Sequence, residues 1–296
     1  MESDQLIEPE TPTKSDAILP GISASPFCAT CGSGGYERPL LVYAVGRLDV
    51  DFLSSSHLAS VAQRLGFDPS DHVALVKHLK ENPADAESLA WVLTIEETPA
   101  YHLVPAGAFA RETYAVLVEF LDDMTLGVER ISAAGVATGG SRLASGIEVP
   151  RLVPELRGLA SWTTDALGKV VVGEKSGESI RRSAITDFLH KIYFELRSLG
   201  RTPAERAINF VATEALTDVN QVFGDALNRR LQLDRIEVEP APIAWPGREV
   251  LDVKLIFFDA ENTNHAGRVY RMSVDVSPHT GLPVRVGGSF RSWPGR

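Results

Sequence analysis

Along the chain, apolar residues recur with two periods, and the change of period marks the elements. Leu40 to Phe52 is rich in branched and aromatic residues, and its second half alternates apolar with polar, which predicts a strand. Ser54-Ser55-Ser56 then offers a helix cap, and Leu58, Val61, Ala62 and Leu65 share one helical face up to Gly66. Asp71 can cap a second helix through Leu79. Trp91–Ile95 and Tyr101–Val104 read as two short strands around Pro99, a hairpin with a longer loop. Thr113 to Leu121 has helical spacing. Val128–Ile131, Ile147–Val153 and Lys169–Val172 read as strands separated by Gly and Pro.

The second half is more regular. Ile185, Phe188, Leu189, Ile192, Tyr193 and Leu196 fall on one face of a helix from Ser183 to Leu199. Thr202-Pro203 starts another, with threonine as cap and proline in the first turn, running to Leu231. Leu233–Val238, Val250–Phe258 and Val269–Val276 alternate as strands, the last two joined by a hairpin loop at residues 262–267. The order predicts an α+β fold: a strand-rich N-terminal half, two central-to-late helices and a C-terminal antiparallel meander. A βαβα rhythm with a glycine-rich phosphate turn is missing.

Composition narrows the partners. The chain has 296 residues and a net charge of −10, with no block of five basic residues, which argues against nucleic acid and membrane surfaces. Residues 1–26 hold four prolines and several acids and read as a flexible segment, leaving 27–296 as the folded domain. A division into subdomains of about 27–175 and 176–296 fits the pattern. An acidic start without an apolar core, and no run of 18 apolar residues, point to the cytoplasm.

Candidate chemistry is sparse. Cys28 and Cys31, the only cysteines, stand as a CxxC pair beside glycines. Two such thiolates can grip zinc in a knuckle, yet structural zinc normally takes four ligands, so histidines or a second chain must complete it. An inert pair and a redox pair remain open readings. Residues 168–176 brush against a phosphate loop, but Glu174 follows the second glycine where lysine is required. Gly139-Gly140-Ser141 reads as a loop rather than a nucleophile elbow. The seven histidines are scattered, and each is read more readily as a surface or satisfied core residue than as a catalyst. Asp49 and Asp51 share a strand face, and Glu96-Glu97 follow a strand; like charges so close usually face solvent.

Several stretches, taken together, resemble a known family. Cys28-Ala29-Thr30-Cys31-Gly32, the strand Val42–Val50, Trp91–Glu96, Tyr101–Pro105, Glu205–Phe210, Arg248–Val253 and Arg271–Val276 are collinear with the C-terminal domain of the cyanobactin (patellamide) maturation proteins PatG and PatA. Where the family tends to continue with a basic residue after Gly46-Arg47, this chain has Asp51-Phe52-Leu53. No subtilisin-type Ser, His and Asp motifs accompany the match, so the chain looks like a free-standing version of that domain. The resemblance implies a non-catalytic accessory protein in ribosomal peptide maturation, docking a precursor peptide or a subtilisin-like maturation protease. Self-pairing as a homodimer is a further expectation, and it would bring four thiolates from Cys28 and Cys31 to one zinc. Arg47, Asp49, Glu96 and Arg206 are the candidate partner-site residues. The alternative is a metal-assisted peptide-modifying enzyme using the same four.

Overall fold

In the computed structural model, which describes residues 39–128, 130–162, 198–217, 231–242, 244–259 and 267–294, the first strand organises everything after it. β1 (Leu40–Asp51) is long enough to serve two neighbours. Its first half pairs antiparallel with β4 (Arg130–Arg142), and its second half with β2 (Ala90–Ile95). The handover falls at Gly46, where a Cβ would lie 2.3 Å from the Thr94 carbonyl oxygen. Only glycine permits so close an approach.

β2 turns into β3 (Thr98–Leu103), β3 runs parallel to β5 (Glu148–Pro154), and β5 returns to β4. The circuit β1-β2-β3-β5-β4-β1 therefore closes as a barrel, with β6 (Ala160–Trp162) added beside β4. A closed circuit of this order, with a helix between its third and fourth strands, has the connectivity of an OB-type barrel. That helix is α3 (Ala110–Thr125). The β1–β2 connection carries α1 (Ser55–Leu65), α2 (His72–Glu81) and a 3₁₀ turn at Pro83–Ser88.

The capping chemistry acts as the sequence predicts. Ser54 Oγ accepts from the His57 amide, Asp71 Oδ1 accepts from the Ala74 amide, and Gly66 closes α1 at φ 76°. Barrel interior and helices share one core, in which Trp91, Leu93, Tyr101, Leu103, Leu117 and Leu121 are all but fully buried. The Trp91 indole N–H is satisfied by the Ala86 carbonyl at 2.8 Å.

A second sheet follows, ordered β10-β9-β8-β7, all antiparallel: β7 (Leu231–Pro240), β8 (Val250–Asp259), β9 (Arg268–Asp275) and β10 (Val284–Pro294). Helix α4 (Pro203–Thr217) places Ala207, Val211 and Ala212 against Leu233, Val253, Leu255, Met272 and Val274. Tyr43 and Val45, on the outward side of β1, join this second core. Glu205 Oε2 accepts from the Arg201 and Thr202 amides while Thr202 Oγ1 accepts from the Glu205 amide, a complete capping box.

The α+β class and the antiparallel C-terminal sheet are as expected, with four corrections of detail. The β2–β3 connection is a two-residue turn, not a longer loop. Gly139-Gly140-Ser141 lie within β4, at a register shift, rather than in a loop. Leu231 opens a strand instead of ending a helix. β10, rich in Gly, Pro and Arg, is a fourth strand of the last sheet that alternation did not reveal. The segment 1–26, the strand at 169–172, residues 183–197 of the expected helix and the loop at 262–266 lie outside the described residues, while Ser198 and Leu199 are not helical. No described helix is long and apolar enough to cross a membrane.

Candidate functional site

The outer wall of the barrel collects the polar chemistry. Strand register runs a single row of residues across five strands: Thr138 on β4, Arg151 on β5, His102 on β3, Val92 on β2 and Asp49 on β1. Directly paired residues point to one face, so these side chains share the outside of the barrel. Arg47 and Asp51, two positions either side of Asp49, belong to the same wall. Arg151 and Asp49 stand three strand spacings, about 14 Å, apart along this row.

Between them the wall is partly covered. Val92 packs with Leu143 and Val149 in a small cluster, each at most 3% exposed. The β4–β5 loop lies over this spot, held by Leu143 and Gly146 amides within the loop and by the Ala144 amide donating to the Phe52 carbonyl at 2.6 Å. Where the loop ends, His102 sits 8% exposed, its Nδ1 2.8 Å from Ser141 Oγ. Burial lowers the His102 pKa below its ordinary value and neighbouring Arg151 lowers it further, with Asp51 acting in the opposite sense. The ring is therefore neutral at physiological pH.

The four expected partner residues do not converge. Arg47 and Asp49 are exposed on the same strand face; Asp49 Oδ1 faces His72 Nε2 at 3.5 Å. Glu96 occupies the β2–β3 turn, where it and Glu97 adopt φ of 50° and 62°. Left-handed backbone at two successive non-glycine residues is uncommon; such turns are the usual province of Asn-Gly.

Arg206 belongs elsewhere. It is 6% exposed, and its guanidinium donates to the carbonyls of Arg201 (2.8 Å) and Val276 (3.0 Å), pinning α4 to the strand end of the second sheet. Its guanidinium is turned to these carbonyls rather than to the barrel wall. Asn209, one turn on, is fully buried and donates to the Tyr43 carbonyl at 2.7 Å. Cys28 and Cys31 lie outside the described residues, and among those described no three His, Cys, Asp or Glu side chains cluster to hold a metal.

Sequence reasoning did not single out His102 or Arg151, and it read Ser141 as part of a loop. The usable signal was His102 itself, the outward residue between inward Tyr101 and Leu103; its partners come from strands about 40 to 50 residues away.

Two family models match parts of the chain. A family model described as "PatG Domain" matches residues 41–141, the stretch from β1 into β4, and one described as "PatG C-terminal" matches residues 175–293. A solved structure titled "PatG Domain of Unknown Function" superposes with a TM-score of 0.79 at 33% identity, covering 86% of this chain and 98% of that one. No curated protein matches significantly. With most of the fold and a third of the aligned residues held in common, the chain belongs to the PatG C-terminal domain family.

Proposed function

We propose that the chain is a non-catalytic accessory protein of cyanobactin-type peptide maturation, acting in the cytoplasm and docking a precursor peptide or a subtilisin-like maturation protease. The observation that supports the reading is the barrel's outer wall. It is exposed at Arg47 and Asp49, carries charges of both signs, and occupies the strand face on which barrels of this connectivity bind extended ligands. Arg47, Asp49 and Glu96 are its candidate contacts; Arg206 supports the fold beneath. A second route is strand addition along β7, which among the described residues pairs only with β8. We further propose a homodimer in which Cys28 and Cys31 from each copy complete one four-thiolate zinc site.

The test is affinity capture of the tagged chain from its native lysate, with mass spectrometry and zinc analysis of the eluate. A precursor peptide or a maturation protease is the expected catch, lost in an Arg47→Glu/Asp49→Lys variant. Zinc at one ion per two chains, absent in Cys28→Ser, is the expected metal result. Recovery of the chain alone overturns the docking reading, and a zinc-free monomer overturns the dimer. A mass change in a captured peptide would instead favour a peptide-modifying enzyme.

A further inference from the structure

We propose that His102, Ser141 and Arg151 form a binding site for a peptide carboxylate on the outer wall of the barrel. The inference rests on the docking reading only for the ligand's being a peptide.

Three observations carry it. Arg151 is exposed and has no carboxylate within ion-pair distance among the described residues, whereas Asp49 on the same wall faces His72. Gly139, at φ 36°, leaves room for the Arg151 guanidinium: a Cβ there would come within 2.9 Å of Arg151 Nη2. The strand register then sets Arg151 directly beside His102, on neighbouring parallel strands. Finally, His102 is anchored at one nitrogen only. Nδ1 is bonded to Ser141, while Nε2 has no partner among the described residues and is not one of the side-chain atoms sealed off without one.

The hydrogen-bond inventory selects the ligand. We take the tautomer in which the Ser141 hydroxyl donates to Nδ1, which puts the proton of the neutral ring on Nε2. A guanidinium and an imidazole N–H on adjacent strands offer donors to the two oxygens of one planar monoanion. A phosphate dianion fits less well, because Asp51, whose charge acts on His102, stands on the same wall and would repel the second charge. A carboxylate, at a peptide C-terminus or on an Asp or Glu side chain, meets both demands.

The experiment titrates three N-acetylated tetrapeptides into the full chain and follows the His102 ring signals by NMR. These are tetra-alanine with a free C-terminal carboxylate, the same peptide as its amide, and an amide with one internal glutamate. The free acid is expected to shift the His102 signals saturably and the plain amide to leave them unmoved. A matching response to the internal glutamate assigns the site to carboxylates in general, and its absence assigns it to peptide C-termini. Arg151→Gln is expected to weaken binding at least about tenfold, with Arg157→Gln as the unaffected surface control.

If neither carboxylate-bearing peptide moves His102, or Arg151→Gln binds as tightly as the parent chain, the inference is overturned. The docking reading fails separately. Capture of a precursor peptide by parent and Arg151→Gln alike would remove this site and leave docking intact. Saturable binding of the free acid without any captured partner would do the reverse.

Discussion

Burial sets the protonation of His102. Its basicity is depressed first by desolvation and then by Arg151, so the folded chain binds this proton less readily than the unfolded one. Where the unfolded state holds more protons, stability rises with pH. The contribution is therefore fully present above the ordinary histidine value of 6.5, and it is lost as pH falls from there through the depressed folded value. Urea denaturation between pH 7.5 and 5 is expected to show a slope that His102→Gln flattens; an unchanged slope would assign the acid sensitivity to other groups. At this scale much was hidden in the sequence. Arg206 and Asn209 sit three apart in one helical turn and look alike as surface candidates. Their hydrogen bonds reach Val276 and Tyr43, 70 and 166 residues away, and no local pattern encodes that.

Among the elements, the β2–β3 turn is the one that departs from its own chemistry. Glu96 and Glu97 both hold left-handed backbone, which costs an L-residue roughly 1–2 kcal/mol relative to glycine. Glu97→Gly is expected to stabilise the chain by about 1 kcal/mol, with part of the gain returned as unfolded-state entropy. Thermal unfolding measures it, and a lower melting temperature would mean that the Glu97 side chain makes a compensating contact. Strands and capped helices were legible because alternation and Ser, Thr or Asp caps are local signals. The tight turn was not, since Glu-Glu carries no turn signature, and Pro99 drew attention to the wrong position. β4 was half hidden for a related reason: Gly135, Gly139 and Gly140 interrupt its alternation. At Gly135 the glycine lets the Val153 carbonyl approach, a Cβ there meeting it at 2.0 Å.

For the whole molecule, the decisive contact joins the two cores. The edge of β1 that β2 does not cover is closed by Gly200, whose carbonyl accepts from the Tyr43 amide at 3.0 Å, and by Asn209 on the Tyr43 carbonyl. Tyr101 reinforces the junction, donating to the Leu199 carbonyl at 2.6 Å and accepting from Arg201 Nε at 3.0 Å. Gly200 has φ 67°, and a Cβ on it would meet the Tyr43 carbonyl oxygen at 2.0 Å. Gly200→Ala is expected to cost about 3 kcal/mol in urea denaturation. Gly66→Ala, at φ 76° with open space around it, is expected to cost only about 1 kcal/mol. Equal losses would show that backbone conformation matters there and the junction does not. Barrel closure itself could not be read in advance, because it depends on a two-residue parallel contact between β3 and β5.

The double duty of β1 also has a consequence in time. The residues that cover Tyr43 and Val45, from Ala207 through Val276, are made some 160 to 230 positions after them. At 5–20 residues per second, that apolar stripe stays uncovered for roughly 10–45 s of synthesis. During that interval the surface is open to anything that binds apolar side chains, before the protein's own C-terminal sheet exists to cover it.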